Sequence, residues 1–181
     1  MTIGSNNIPS VPDLPRKEFR LGSLVERVEA PGRADWSDIP VKSGIYVVFL
    51  PPNVSFEVSQ SSGAAVHASP APMAELYEKW NRINRRDSTD ILYIGKGANL
   101  RKRIRALARF GAGKSKNHGG GEWMWQITQI RSTKLLVQAC PSGKHIPFEK
   151  WLLDSFKKQH GDWPFANRKG GDGWEVWSPF P

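Results

Sequence analysis

Two short apolar runs, each closed by residues that cannot extend a strand, constrain the fold more than any other feature. The first is residues 43–50, which a Pro-Pro pair ends, and the second is residues 90–95, which two nearby glycines end. Both runs are rich in β-branched and aromatic residues and are too short for buried helices, so we predict two buried strands. Apolar residues make up 39% of the 181 residues, which is enough to pack a core around such strands.

The pattern around these runs predicts the other elements. Apolar residues from Met73 to Ile83 recur at helical spacing, and a second helix is predicted over residues 99–110. Two further strands are expected at Glu122–Ile130 and Thr133–Cys140, and a last helix at residues 146–160. The prediction is an α+β fold with a small mixed or antiparallel central sheet flanked by helices, and with a loop and a helix inserted between the first two strands.

The chain divides into three parts by composition. Residues 1–41, broken by prolines, are predicted to form an N-terminal arm with a short amphipathic piece near Phe19–Val28. Residues 42–170 form the predicted domain, which includes an insert at residues 51–89. Residues 171–181 form a tail rich in aromatic residues.

The positive charge is concentrated in one segment. The chain has 26 Lys and Arg against 17 Asp and Glu, and the stretch from Ile91 to Gly121 carries eight basic residues and no acid. Such a cluster indicates a polyanionic partner, most often nucleic acid, and the alternative is a solvated helix face. The candidate nucleic-acid-binding residues are Arg101, Lys102, Arg105, Arg109, Lys114 and Lys116.

Two charged residues fall on the apolar faces of predicted helices. Arg103 lies among Leu107 and Phe110 on a helical wheel, where it either extends its charge to solvent or holds a phosphate. Glu149 begins a row of apolar residues in the last helix and cannot complete a capping box, because Ile146 lies at the capping position. It forms either a structural ion pair, with Arg103 among the candidates, or a ligand for a hard cation such as Mg²⁺.

Several classes of protein and site are disfavoured. A single cysteine excludes an internal disulfide and a cysteine-cluster metal site, and the four scattered histidines argue against zinc. The longest apolar run is far too short to cross a bilayer, and the N-terminus lacks the pattern of a signal peptide. We therefore expect a cytoplasmic protein with no membrane partner.

The motifs on the two predicted strands resemble those of a known family. Gly44-Ile45-Tyr46 and Tyr93-Ile94-Gly95 resemble the two halves of the signature of the GIY-YIG nucleases. The other motif residues of that family follow in the same order, at Lys96, Arg103, Glu149, and at Pro164 and Asn167. The resemblance covers about residues 42–170.

The resemblance implies a divalent-metal-dependent endonuclease that acts on DNA, most simply double-stranded. It implies that Glu149 binds one Mg²⁺ or Mn²⁺ at the scissile phosphate, and that Tyr46, with Lys96, orients or deprotonates the attacking water. Tyr93 would join the same hydrogen-bond network, Arg103 would neutralise charge on the phosphate, and Asn167 would hold the far wall of the site. A tyrosine base needs a lowered pKa, which the clustered cations are expected to provide.

Two departures from the family pattern stand out. The two signature halves are usually joined by a short connection, whereas residues 51–89 intervene here. Many members also carry a histidine one helical turn after the arginine, where this chain has Leu107. The excision-repair branch lacks that histidine as well, and His118 or His145 is a candidate substitute.

The sequence is compatible with more than one biological role and more than one class of function. The absence of a separate recognition domain within 181 residues favours a restriction-like enzyme, or one associated with defence or mobile elements, and a homodimer is the simplest way to cut both strands. One alternative is a non-catalytic nucleic-acid-binding protein that retains the nuclease fold. Another is a basic domain that binds a protein partner through the insert helix or through tail residues Trp174, Trp177 and Phe180.

Overall fold

The computed structural model describes residues 8, 13–60, 70–115, 121–168 and 170. Its strands are β1 (Arg16–Arg20), β2 (Gly44–Phe49), β3 (Ile91–Gly97) and β4 (Lys134–Ala139). Its α-helices are α1 (Leu21–Glu29), α2 (Met73–Ile83), α3 (Leu100–Gly111) and α4 (His145–His160). The aromatic tail at residues 171–181, Lys116 and His118 lie outside the described residues.

The four strands form one antiparallel sheet in the order β1-β4-β2-β3. The predicted α+β class with a small antiparallel sheet is therefore confirmed. All six residues of β2 are buried, as expected for an apolar run between two neighbouring strands. In this register Tyr46 of β2 lies opposite Gly95 of β3 on one side and Val137 of β4 on the other.

Residues 16–29, which the sequence assigns to an arm, take part in the sheet and its packing. β1 pairs with β4 along its whole length and forms one edge of the sheet. Its sequence, RKEFR, is almost entirely exposed, so it lacks the alternation of polar and apolar residues that identifies a strand. The predicted amphipathic piece is confirmed as α1, which buries Leu21, Leu24 and Val25.

The strand predicted at Glu122–Ile130 is wrong. The segment forms 3₁₀ turns at Glu122–Gln126 and, beyond it, at Ile130–Ser132. Trp125 of this segment is buried against α3, because its ring lies on Gly111, where a side chain would overlap it. The β pairing of this segment is limited to an isolated antiparallel bridge between Val58 and Ile127 among the described residues. A short apolar run does not distinguish such a turn from a strand, which explains the error.

The insert between β2 and β3 packs onto the rest of the fold. The predicted helix is confirmed as α2, which buries Leu76 and Ile83. Before it, Phe56 stacks on Trp80 with ring centroids 4.1 Å apart and meets the Phe165 ring edge-on at 5.0 Å. Within the described part of the chain, no helix has both the length and the apolar character needed to cross a membrane.

Candidate active site

The pairing of β2 with β3 brings two tyrosines together. Tyr46 lies opposite Gly95, and Tyr93 lies two residues before Gly95 on the same strand face. The two rings are 5.8 Å apart between centroids. Gly95 allows this arrangement, because a Cβ there would lie 2.5 Å from Cζ of Tyr46 and 2.8 Å from Cε1 of Tyr93.

Arg103 lies in the first turn of α3 and points toward the tyrosines. Asn99 caps α3 by accepting a hydrogen bond from the Lys102 amide at 2.9 Å, which fixes where the helix begins and hence where Arg103 points. The Arg103 Nε donates a hydrogen bond to the Tyr46 hydroxyl at 3.1 Å. The guanidinium is thus directed toward the sheet rather than extended to solvent, as its place on the wheel allowed.

Glu149 of α4 forms an ion pair with Lys96 of β3. The Lys96 Nζ donates to the Glu149 Oε2 at 2.6 Å, and Glu149 is only 7% exposed. The ion pair predicted as one alternative is therefore present, with Lys96 as the partner among the described residues in place of Arg103. Burial strengthens the pair because water screens it poorly there.

Asn167 closes the open edge of β3. Its side-chain amide accepts a hydrogen bond from the Ile94 amide at 2.9 Å and donates one to the Ile94 carbonyl at 2.8 Å. These two bonds replace the strand that would otherwise pair with β3 beside the tyrosines. The residue thus fixes the backbone between Tyr93 and Gly95.

Burial raises the pKa of both tyrosines. At Tyr46 it outweighs the lowering effects of Arg103 and of the hydrogen bond with Tyr93, and the charge of Glu149 also raises the pKa. Burial raises the pKa of Tyr93 well above its usual value, with further contributions from Tyr46. The expectation that the nearby cations lower the pKa of Tyr46 below its ordinary value is therefore wrong, because desolvation disfavours the tyrosinate.

The remaining site candidates occupy the core, the start of α4 and the surface around α3. Leu107 is buried in the core. His145 stands at the start of α4, where burial and the neighbouring charge of Lys96 lower its pKa and favour the neutral ring. Of the basic candidates, Lys102, Arg105, Arg109 and Lys114 are exposed and Arg101 is half-buried. None of these five forms an ion pair with an acid among the described residues.

Sequence reasoning missed Lys79, which connects the insert to the site. Its Nζ donates to the Asn167 carbonyl at 2.6 Å and lies 5.1 Å from the centre of the Trp123 ring. Lys79 is only 5% exposed. The available signal was the helical wheel, on which Lys79 stands about 40° from Ile83, at the margin of the apolar face.

We expect Lys79 to make stability depend on pH. Burial lowers its pKa from 10.5 to about 8, so between these values the unfolded chain binds more protons than the folded chain. The free energy of unfolding should therefore rise with pH, by about 2 kcal/mol from pH 8 to pH 9.5. Urea unfolding of Lys79→Met across this range should lack that rise, whereas exposed Lys158→Met should retain it. Parallel curves for the wild type and Lys79→Met would contradict the burial of a charged ammonium.

The donor atoms of the site suit a hard divalent cation better than zinc. The described residues contain no group of three or more His, Cys, Asp and Glu side chains that could enclose a metal. A single carboxylate, Glu149, fits Mg²⁺ or Mn²⁺, because Mg²⁺ is commonly held by one or two carboxylates with water and phosphate oxygens as its other ligands. The same donor set does not fit a structural zinc site.

The candidate site residues come from separate segments of the chain. β2 provides Tyr46, β3 provides Tyr93 and Lys96, α3 provides Arg103, α4 provides Glu149, and Asn167 follows α4.

The chain matches no protein-family model, and comparisons with curated proteins and with solved structures give no match either.

Proposed function

We propose that this protein is an endonuclease that hydrolyses DNA phosphodiester bonds with Mg²⁺ or Mn²⁺, on a fold of the GIY-YIG type. The observation that carries the proposal is the pairing of the Arg103 guanidinium with the Tyr46 hydroxyl near the buried Glu149 carboxylate. An arginine directed toward a buried hydroxyl, with a carboxylate on a neighbouring helix, fits the recognition of a phosphate that also carries a cation. The order of the motif residues along the chain gives further support.

Each residue has a proposed task. Arg103 binds a non-bridging phosphate oxygen and stabilises the charge that grows on it during the attack of water. Tyr46 accepts a hydrogen bond from the Arg103 Nε, so its own hydroxyl proton is directed away from Arg103. The raised pKa of Tyr46 favours orienting the attacking water over abstracting its proton. Lys96 contributes positive charge, and Asn167 acts as a positioning residue through the β3 backbone.

Glu149 is the proposed metal ligand. A bound divalent cation would supply Lewis-acid stabilisation of the phosphate and of the leaving oxygen. Glu149 provides the anionic oxygen, and the exposed fraction of its partner Lys96, 23%, leaves that ammonium room to withdraw toward solvent. Neutralising the Glu149 charge would also remove one contribution that raises the pKa of Tyr46.

The proposed setting is a cytoplasmic enzyme of the restriction, defence or mobile-element type that acts on double-stranded DNA. One site per chain and a two-stranded substrate favour a homodimer, in which each copy cuts one strand. The insert at residues 51–89 is joined to the site through Lys79 and Asn167, so it is a candidate element for substrate recognition.

A non-catalytic nucleic-acid-binding protein is the second candidate. The observation that favours it is the ion pair itself, because Lys96 occupies a Glu149 oxygen that a cation would need. In that case the pair is purely structural, and the basic residues of α3 carry the whole function.

A cleavage assay separates the two candidates. Supercoiled plasmids of varied sequence are incubated with the protein and Mg²⁺, Mn²⁺ or EDTA, and the products are resolved on agarose gels. The endonuclease should convert the plasmid to nicked or linear forms only with a metal. DNA binding without cleavage of any plasmid in either metal would support the binding protein.

A further inference from the structure

A cavity lined by arginines lies on the side of α3 away from the tyrosines. It has a volume of about 490 Å³ and is formed by the end of α1, the segment that follows it and the outer face of α3. Five guanidiniums line it, together with the Trp36 ring and a single acid, Asp35; the arginines are Arg27, Arg33, Arg101, Arg105 and Arg109. Two of them, Arg27 and Arg33, come from the predicted arm and were not among the sequence candidates.

Contacts within the protein hold most of these arginines in place. Arg27 pairs with both Asp38 oxygens, at 2.8 and 2.7 Å, and lies over the Trp36 ring at 5.6 Å. Arg105 lies over the same ring at 5.8 Å. Arg101 donates to the carbonyls of Ile39 at 2.8 Å and Ser37 at 3.0 Å, which fastens the segment after α1 to α3.

The cavity keeps a positive charge despite these contacts. Carbonyl oxygens orient Arg101 without neutralising it, and Asp35 is already bound by the Ser37 amide and hydroxyl at 2.8 Å each. Five guanidiniums against the carboxylates of Asp35 and Asp38 leave three positive charges. An anion that enters therefore meets arginines whose positions are already set, which lowers the entropy lost on binding.

The arrangement fits a run of phosphates better than a single one. Arg101, Arg105 and Arg109 are four residues apart, so they form a row with steps of about 6 Å along the helix. Trp36 is only 7% exposed and lies beneath arginines, so it offers no face on which a base could stack. The row is therefore suited to the backbone of a nucleic acid and carries no element for reading bases.

We infer that this arginine cavity binds the phosphate backbone of duplex DNA at a place separate from the Glu149 site. On the helical wheel, Arg105 stands about 160° from Arg103, so α3 has one face on each site. The bound backbone belongs to DNA that flanks the phosphate at Arg103. The choice of DNA rests on the proposed function, whereas the binding itself needs no catalysis.

The test measures DNA binding in EDTA, which removes cleavage from the readout. Fluorescence anisotropy of a labelled duplex is recorded over a series of salt concentrations for the wild type and for the double variant Arg33→Gln/Arg105→Gln. Both arginines are exposed, and Arg33 lies outside α3, so the variant tests the cavity rather than one helix face. The control, Arg85→Gln/Lys158→Gln, removes two exposed charges that do not line the cavity.

Each lost phosphate contact should reduce the slope of log affinity against log salt by about 0.9. We therefore expect the cavity variant to lose nearly two units of slope, and the control to keep the wild-type slope. An equal loss in both variants would overturn the inference, because it would show that only net charge matters. No DNA binding by the wild type would overturn it as well.

Competition separates the sources of the anion. Inorganic phosphate at matched ionic strength should not displace the duplex, whereas unlabelled duplex should. Displacement by phosphate would reassign the cavity to a small anion, and equal displacement by polyglutamate would reassign it to an acidic protein. If the plasmid assay shows no cleavage while the cavity variant loses its slope, the DNA site stands and only the endonuclease proposal fails.

Discussion

Replacing Glu149 with glutamine should lower the rate of metal-dependent DNA cleavage by about 10³-fold, on the scale of removing one group that stabilises the transition state. The substitution keeps the size of the side chain and removes its negative charge. Glutamine offers the cation only a neutral oxygen, and it leaves the Lys96 ammonium without its carboxylate. DNA binding in EDTA should be retained, because the arginines of α3 are unchanged.

The matched control is Asp154→Asn on the same helix. Asp154 is exposed and pairs with Lys150 one turn earlier, so its loss should leave cleavage within about twofold and stability within about 0.5 kcal/mol. Single-turnover cleavage with the protein in excess compares the chemical step directly. Equal rates for Glu149→Gln and the wild type would remove Glu149 from the mechanism. A thermal melt of each variant shows whether a lost rate reflects unfolding.

Replacing Gly95 with alanine should lower the free energy of unfolding by about 3 kcal/mol, the upper range for forcing an extra methyl into a packed core. The new Cβ would lie 2.5 Å from Cζ of Tyr46 and 2.6 Å from its hydroxyl oxygen. Tyr46 is fully buried and bonded to Arg103, so its ring has no open space to move into. The ring or the β3 backbone must shift, and either movement breaks the Arg103–Tyr46 hydrogen bond.

Two comparison variants make this expectation specific. Gly97→Ala introduces a Cβ 3.0 Å from the side chain of Arg103, which is a milder overlap, so its loss of stability should be smaller. The double variant Gly95→Ala/Tyr46→Ala removes the ring that causes the overlap. The free energy of unfolding that it loses should be smaller than the sum of the losses in Gly95→Ala and Tyr46→Ala. Urea unfolding is measured for the wild type, Gly97→Ala, Gly95→Ala, Tyr46→Ala and the double variant. Additive losses would show that the Tyr46 ring does not lie over Gly95.

Much of the fold follows from local sequence signals, and the elements that the sequence does not predict have physical reasons for it. The apolar runs at β2 and β3 and the helical spacing of α2 identify elements whose burial is continuous or periodic. β1 is not predicted, because it is a charged edge strand that is positioned by its pairing with β4. The 3₁₀ turns at Glu122–Gln126 are not predicted, because a short apolar run does not distinguish a strand from a turn that packs on α3 through Trp125.

The site residues divide in the same way. Arg103 and Glu149 are visible on helical wheels as charges among apolar neighbours, so a single sequence marks them. Lys79 is visible by the same test but stands at the margin of the apolar face, where long cationic side chains usually reach solvent. The direction of the pKa shift of Tyr46 depends on how deeply its ring is buried, which composition and spacing do not reveal.

The arginine cavity is formed by residues whose proximity in the fold cannot be predicted from the sequence. Arg33 and Arg105 are far apart along the chain, and only the packing of the segment after α1 against α3 brings them to one surface. The basic stretch from Ile91 to Gly121 predicts the helix half of that surface. The other half comes from residues that look like part of an unpaired arm.

Metal binding is the most direct test of the central claim, that Glu149 holds a divalent cation in a site formed with Arg103 and Tyr46. Electron paramagnetic resonance of free Mn²⁺, titrated with protein and a duplex, counts the bound metal without relying on cleavage. The wild type and Asp154→Asn should each bind one Mn²⁺ per chain, and Glu149→Gln should lose that site. Equal Mn²⁺ binding by Glu149→Gln and the wild type would contradict the account.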